Sequence, residues 1–171
     1  MAEIPTRFLE TLEVFVRHHV DFIVIGGVGA VLRGAPIMTF DVDLVHSRAP
    51  DNLVRLLAAL EELDAWYREH VHTQLRPRPD RVALPGPQLF KTKFGILDVI
   101  GTVSGNRTYD DLLAHSSVID AGGGLRVRVL SLEMIVRLKE EVGRDKDRAV
   151  LDTLRATIRE AERMDREGPG S

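Results

Sequence analysis

FIVIGG at residues 22–27 and TFDVDLV at residues 39–45 decide the fold of this 171-residue chain. The first segment opens with four apolar, mostly β-branched residues, which predicts a strand buried on both faces. Its two glycines end the strand, and residues 28–32 are expected to begin a short helix. In the second segment apolar and acidic positions alternate, which predicts a strand with one apolar and one acidic face. The apolar face would carry Phe40, Val42 and Leu44.

The acidic face carries Asp41 and Asp43, which project together because successive side chains of a strand alternate between its faces. Strand rise places their carboxylates ~6–7 Å apart. Two like charges at this distance raise the pKa of at least one group unless a cation neutralises them. Mg²⁺ suits such a pair, because it prefers oxygen ligands and binds through one or two carboxylates plus substrate phosphates. The alternative is a solvated pair on an outward strand face.

Two further features bear on the acidic pair. Gly26 and Gly27 stand between a buried strand and a helix, where backbone N–H groups can approach a phosphate, although an ordinary turn has the same sequence. Asp98 lies within the apolar run 96–100, where an unpaired carboxylate is costly. It is either a third metal-binding carboxylate or a capped or salt-bridged strand aspartate.

The composition is that of an ordinary globular domain. Hydrophobic residues make up 44% and charged residues 29%, and the net charge of -3 provides no global attraction to nucleic acid or acidic membranes. The absence of cysteine excludes disulfides and thiolate metal sites. The longest apolar stretch, near residues 22–32, is too short to span a bilayer, and we recognise no signal peptide. We therefore expect a cytoplasmic protein without a membrane partner.

The rest of the sequence alternates between helical and strand patterns. Helices are expected at residues 5–18, 50–63, 131–142 and 145–164, a helical turn at 109–114, and strands at 90–94, 96–100 and 125–130. Residues 64–87 are irregular and contain strand pieces. We predict an α/β (α+β) fold, with a small mixed sheet flanked by helices and followed by C-terminal helices. A single domain would span residues 1–165, with a flexible tail at 166–171.

This combination resembles the DNA-polymerase-β-like nucleotidyltransferase superfamily. The shared pattern is a strand ending in Gly26-Gly27, then Asp41-x-Asp43 on a second strand and Asp98 on a later one. The resemblance covers roughly residues 22–154 and implies the nucleotidyltransferase fold.

More narrowly, the chain resembles small bacterial nucleotidyltransferases, including those of toxin–antitoxin and abortive-infection pairs. In those proteins a threonine two residues before the first aspartate corresponds to Thr39. A later lysine followed by Gly-Arg-x-Lys-Asp corresponds to Lys139 and to residues 143–147.

The resemblance implies a metal-dependent enzyme that moves a nucleoside monophosphate from an NTP, such as ATP, to a hydroxyl of a protein, an RNA or a small molecule. Asp41, Asp43 and Asp98 would be both the catalytic residues and the ligands of Mg²⁺ or Mn²⁺. Nucleotide binding would fall to Gly26, Gly27, Thr39, Lys139, Arg144 and Lys146.

One departure from the family pattern concerns phosphate handling. Many relatives carry an arginine two residues before the threonine, where this chain has Ile37, and Arg33 is the candidate replacement. The alternative to an enzyme is therefore an inactive domain of the same fold that acts as a binding module or as an antitoxin-type partner.

Partners other than the NTP also follow from the resemblance. They are a protein or tRNA acceptor and a partner protein encoded nearby. A basic cluster in the middle of the chain is the candidate tRNA surface, or else a solvated strand edge protected by charge. The cluster comprises Arg76, Arg78, Arg81, Lys91 and Lys93.

Overall fold

The computed structural model describes residues 6–70 and 72–168 of the chain. Its strands are β1 (Phe22–Ile25), β2 (Asp41–His46), β3 (Trp66–Tyr67), β4 (Pro87–Thr92), β5 (Gly95–Ile100), β6 (Thr102–Val103), β7 (Arg107–Thr108), β8 (Ser116–Asp120) and β9 (Arg126–Leu130). Its helices are α1 (Thr6–Arg17), α2 (Gly26–Leu32), α3 (Pro50–Glu62), α4 (Pro79–Val82), α5 (Tyr109–Leu113), α6 (Leu132–Val142) and α7 (Arg148–Glu167).

Seven strands form one mixed sheet in the order β3-β4-β5-β2-β1-β9-β8, and β6 pairs separately with β7. At the centre, β2 runs antiparallel to β1 and parallel to β5. The register places Ile25 opposite Asp43 on one side and Asp43 opposite Asp98 on the other. The predicted acidic positions therefore lie in the middle of the sheet.

Two hydrophobic cores, one on each face of the sheet, explain why β1 is wholly apolar. Phe22 and Val24 belong to the core shared with α1 and α3. Ile23 and Ile25 point the other way, into the core shared with α2, α6 and α7. A strand buried on both faces needs apolar residues at every position, and all four residues of β1 are buried.

The predicted fold class is confirmed, since a mixed sheet is flanked by helices and followed by α6 and α7. Phe40 is a correction. The alternating pattern predicts that it packs beside Val42 and Leu44, but it precedes β2 and is 78% exposed. Strand β8 was not predicted, because it is an edge strand with little buried apolar surface.

Helix α7 continues to Glu167, two residues into the expected tail, and the described part of the first helix starts at Thr6. Pro5 and residues 169–171 of the expected tail lie outside the described residues. Within the described part of the chain, no helix combines the length and the apolar character needed to cross a membrane.

Candidate active site

The three aspartates project from two neighbouring parallel strands. Asp41 and Asp43 lie on β2, and Asp98 lies on β5 directly opposite Asp43. The carboxyl groups of Asp43 and Asp98 come within hydrogen-bonding reach of each other. Val45, two residues beyond Asp43 on the same face, belongs to the core that contains Ile135 of α6. Asp41, Asp43 and Asp98, together called the acidic group, therefore lie next to the region that α6 covers.

Burial and neighbouring like charges disfavour the ionised form of Asp43. Burial raises the pKa of Asp43 to about 7, and repulsion from Asp98 and then from Asp41 adds to the shift, while Lys139 opposes it. Such a site gains free energy from a bound cation.

The donor set fits a hard divalent cation. No three acidic or histidine side chains among residues 6–70 and 72–168 are grouped closely enough to hold a metal ion by themselves. Neighbouring carboxylates, as on β2 and β5, are nonetheless the ligands through which Mg²⁺ binds when substrate phosphates complete its coordination.

The two glycines after β1 make close contacts that no other residue allows. Gly26 has a left-handed φ of 63°, and a Cβ placed on it would overlap Oδ2 of Asp43. A Cβ on Gly27 would lie 2.5 Å from Oγ1 of Thr39. Gly26 and Gly27 are thus packed against Asp43 and Thr39, a contact that the sequence analysis did not predict.

Arg68, which sequence reasoning missed, contacts the third aspartate. Its Nη1 donates a hydrogen bond to Oδ1 of Asp98 at 2.5 Å, and the two side chains are 30% and 16% exposed. This ion pair raises the pKa of the Arg68 guanidinium. The interpretation of Asp98 as a salt-bridged strand aspartate is therefore correct. Asp98 also lies opposite Asp43 in the sheet. Arg68 lies in the irregular segment 64–87, where no sequence pattern indicated it.

Lys139, on α6, is a cation whose charge acts on Asp43. Ser131 caps α6 by accepting a hydrogen bond from the Met134 N–H, and Gly143 ends the helix in a left-handed conformation. Lys139, near the end of α6, faces Asp43 and also forms an ion pair with Asp147 at 3.6 Å.

A cavity of about 310 Å³ extends from Gly26 between the sheet and α6. Its walls are mainly apolar and include Ile100, Leu138 and Val142, with Lys139 and Arg144 among the charged residues. Lys146 is exposed in the turn before α7 and does not line the cavity. The cavity is large enough for a planar heteroaromatic ring. Lys139 lines the cavity and also interacts electrostatically with Asp43.

The contacts of Arg33 and of the basic cluster bear on two interpretations that the sequence left open. Arg33 does not replace the missing arginine, because its guanidinium donates to the carbonyls of Val129 and Leu130 and to the Ser117 hydroxyl. The basic cluster is engaged within the chain, which favours the solvated-edge interpretation. Arg76 pairs with Asp64, Arg78 pairs with Asp80, and Arg81, Lys91 and Lys93 lie over the rings of Tyr67, Trp66 and Phe94.

Asp43→Asn is expected to change how stability depends on pH. The folded chain keeps the Asp43 proton up to a pKa of about 7, whereas the unfolded chain loses it near the ordinary value of 3.8. The stabilisation that this proton provides is therefore complete below about pH 4 and is lost as the pH rises through about 7. Asparagine cannot ionise, so melting temperatures measured in EDTA should diverge above about pH 5, with the variant more stable at about pH 8. A difference that stays constant with pH would contradict this prediction.

Comparisons with known proteins identify the fold. No protein-family model matches the chain, and no curated protein matches it by sequence. Among solved structures, the lincosamide antibiotic adenylyltransferase LnuA, bound to lincomycin, superposes with a TM-score of 0.63 at 13% identity, over 90% of this chain and 98% of that one.

Two further solved structures are similar over most of their length. A candidate nucleotidyltransferase from Thermotoga maritima gives a TM-score of 0.56 at 16% identity, over 92% of this chain and 96% of that one. The antibiotic-resistance factor ANT(2'')-Ia gives 0.58 at 15% identity, over 92% and 86%. The chain therefore has the nucleotidyltransferase fold.

Proposed function

We propose that this chain is a metal-dependent nucleotidyltransferase that moves a nucleoside monophosphate from an NTP to a hydroxyl group. One observation carries the proposal: Asp43 and Asp98 face each other across β2 and β5, with Gly26 packed against Asp43. The nucleotidyltransferase fold of the similar structures supports the same reaction class.

The reaction joins the acceptor oxygen to the α-phosphorus and breaks the bond from that phosphorus to the bridging oxygen of the departing pyrophosphate. Asp41 and Asp43 would hold Mg²⁺ or Mn²⁺, which would supply positive charge opposite the phosphates. Asp98, opposite Asp43, would face the acceptor hydroxyl and favour its deprotonation. Asp43, with its raised pKa, is the carboxylate that gains most from the cation.

The nucleotide would lie between the acidic group and α6. Gly26 and Gly27 keep the backbone close to Asp43 and Thr39, and their N–H groups would bind phosphate oxygens. Lys139 is the cation best placed at the phosphates, because it already faces Asp43. The apolar cavity beyond Lys139 would take the base, with Arg144 at its margin. Lys146, exposed in the adjoining turn, would contribute at most through its charge.

A small molecule is the acceptor class that the similar structures favour. LnuA is an adenylyltransferase of lincosamide antibiotics, and ANT(2'')-Ia is an antibiotic-resistance factor. We therefore place a small-molecule hydroxyl ahead of a protein or an RNA, and ATP ahead of other nucleotides. The residues of the basic cluster contact side chains of the chain itself, which also favours a small-molecule acceptor over an RNA. A toxin–antitoxin partner stays a prediction from the sequence resemblance.

Transfer from α-labelled NTPs tests the proposed function. The protein is incubated with each NTP, Mg²⁺ and fractions of small molecules, RNA and protein, and label is followed into each fraction. Label should appear from one NTP, and EDTA should abolish it. Absence of label together with absence of NTP binding by calorimetry would overturn the proposal. Binding without labelling would instead identify the inactive binding module, which the Arg68–Asp98 ion pair favours by engaging the third carboxylate.

Filling the cavity should separate recognition of the base from that of the phosphates. Val142 lines the cavity and is 51% exposed, so Val142→Trp can fill the space without disturbing the core. We expect ATP to bind at least about tenfold more weakly, equal to ~1.4 kcal/mol, with binding of inorganic triphosphate unchanged. Val54→Trp, at an exposed position on α3, is the matched control. Equal weakening of both ligands by Val142→Trp would refute the assignment of the base to the cavity.

A further inference from the structure

Arg68 reaches Asp98 from two strands away. Its backbone N–H donates to the carbonyl of Leu89, and Leu89 lies opposite Asp98 in the β4–β5 ladder. Arg68, Leu89, Asp98 and Asp43 therefore form one row across the sheet. Strands are spaced ~4.8 Å apart, so the arginine side chain must extend over Leu89 to reach the carboxylate. The contact uses most of its length and directs the guanidinium at the acidic group.

The guanidinium occupies a place where a cation would otherwise bind. It remains charged at any pH at which the protein is folded, and it presents a fixed set of donors to a carboxylate. The other cation facing the acidic group, Lys139, is shared with Asp147. Mg²⁺ loses its water reluctantly and demands near-octahedral geometry, so it competes poorly for a carboxylate oxygen that already accepts a charge-assisted hydrogen bond.

We infer that Arg68 serves as a built-in counter-cation on Asp98, so that the chain binds one divalent metal ion, at Asp41 and Asp43, rather than two. The inference rests on the proposed function, because it concerns the metal content of the same site. Arg68 is thus a positioning residue: it holds Asp98 beside Asp43, and a second ion binds only when the guanidinium leaves.

The number of bound Mn²⁺ ions tests the inference without any measurement of activity. Electron paramagnetic resonance titration, in the presence of a non-hydrolysable NTP analogue, should count one Mn²⁺ in the wild type and two in Arg68→Gln. A second Mn²⁺ should bind Arg68→Gln about ten- to hundredfold more tightly than it binds the wild type. This factor corresponds to the free energy of one charge-assisted hydrogen bond. Arg68→Lys keeps the positive charge but lacks the planar guanidinium. It should bind the second ion with an affinity between those of the wild type and Arg68→Gln.

The control is Arg76→Gln, which removes a comparable arginine–aspartate pair, with Asp64, outside the acidic group. It should still bind one ion. Two ions in the wild type, or one in Arg68→Gln, would overturn the inference and leave the proposed function standing. No Mn²⁺ in any of the proteins would overturn both. If Arg68→Gln fails to fold by circular dichroism, the count in Arg68→Lys decides: a measurable second ion supports the inference, and its absence overturns it.

Discussion

Asp43→Asn is expected to lower the rate of nucleotidyl transfer by at least about 10²–10³-fold, the loss typical of removing one preorganised electrostatic group. Asparagine keeps the shape of the side chain but removes the charge that would hold the metal. The rate is measured as label transferred from the α-labelled NTP under saturating Mg²⁺. Asp98 and Asp41 repel the Asp43 carboxylate, and the substitution relieves this repulsion. The variant should therefore be at least as stable as the wild type at neutral pH.

Asp51→Asn is the matched control for this loss. Asp51 lies in the first turn of α3, its side chain is 83% exposed, and it makes only a 3.9 Å contact with Arg55. Its replacement should leave the transfer rate within about twofold, in keeping with the small contribution of exposed ion pairs. Retention of wild-type activity by a folded Asp43→Asn variant would exclude Asp43 from the mechanism.

Gly26→Ala is expected to reduce transfer about 10²-fold, the loss that a misplacement of ~1 Å can cause. A methyl group at this position overlaps Oδ2 of Asp43, so the carboxylate must move. The left-handed backbone adds ~1–2 kcal/mol of strain. That strain corresponds to a fall in melting temperature of about 2–8 °C for a chain of this size. Thermal unfolding and the transfer assay measure the two effects separately.

Gly123→Ala separates backbone strain from the contact with Asp43. Gly123 lies in the turn between β8 and β9 with φ of 61°, nearly the same as the 63° of Gly26, but a Cβ placed on it would meet no atom within 4 Å. The substitution should lower the melting temperature by a similar amount and leave transfer unchanged. If both alanine variants lose activity equally, the contact of Gly26 with Asp43 has no functional role.

The central strands and their acidic residues could be predicted because local rules determine them. An apolar β-branched run, a glycine pair and an alternating Asp-x-Asp strand each have one simple structural interpretation. The β4–β5 hairpin was also anticipated from Gly95, although the structure places Gly95 within β5, paired with Thr92, and the turn at Lys93 and Phe94. These features depend on residues close together in the sequence.

The features that were missed depend on long-range pairing. Arg68 meets Asp98 only because β3 pairs with β4, and β4 with β5, and a two-residue strand has no sequence signature. Arg33 contacts carbonyls of β9 that lie almost a hundred residues away. Phe40 fits the alternating pattern, yet the ladder begins one residue later.

The pairing of β2 with β5 also affects how the chain folds. These strands are distant in sequence, so no tight turn between them fixes their register. A shift of one residue would turn Asp98 towards the core that contains Leu97 and Val99. An unpaired carboxylate there costs several kcal/mol, and Leu97 and Val99 would turn away from that core. The same carboxylate that faces Asp43 in the folded chain therefore penalises mispaired intermediates and guides the sheet to its native alignment.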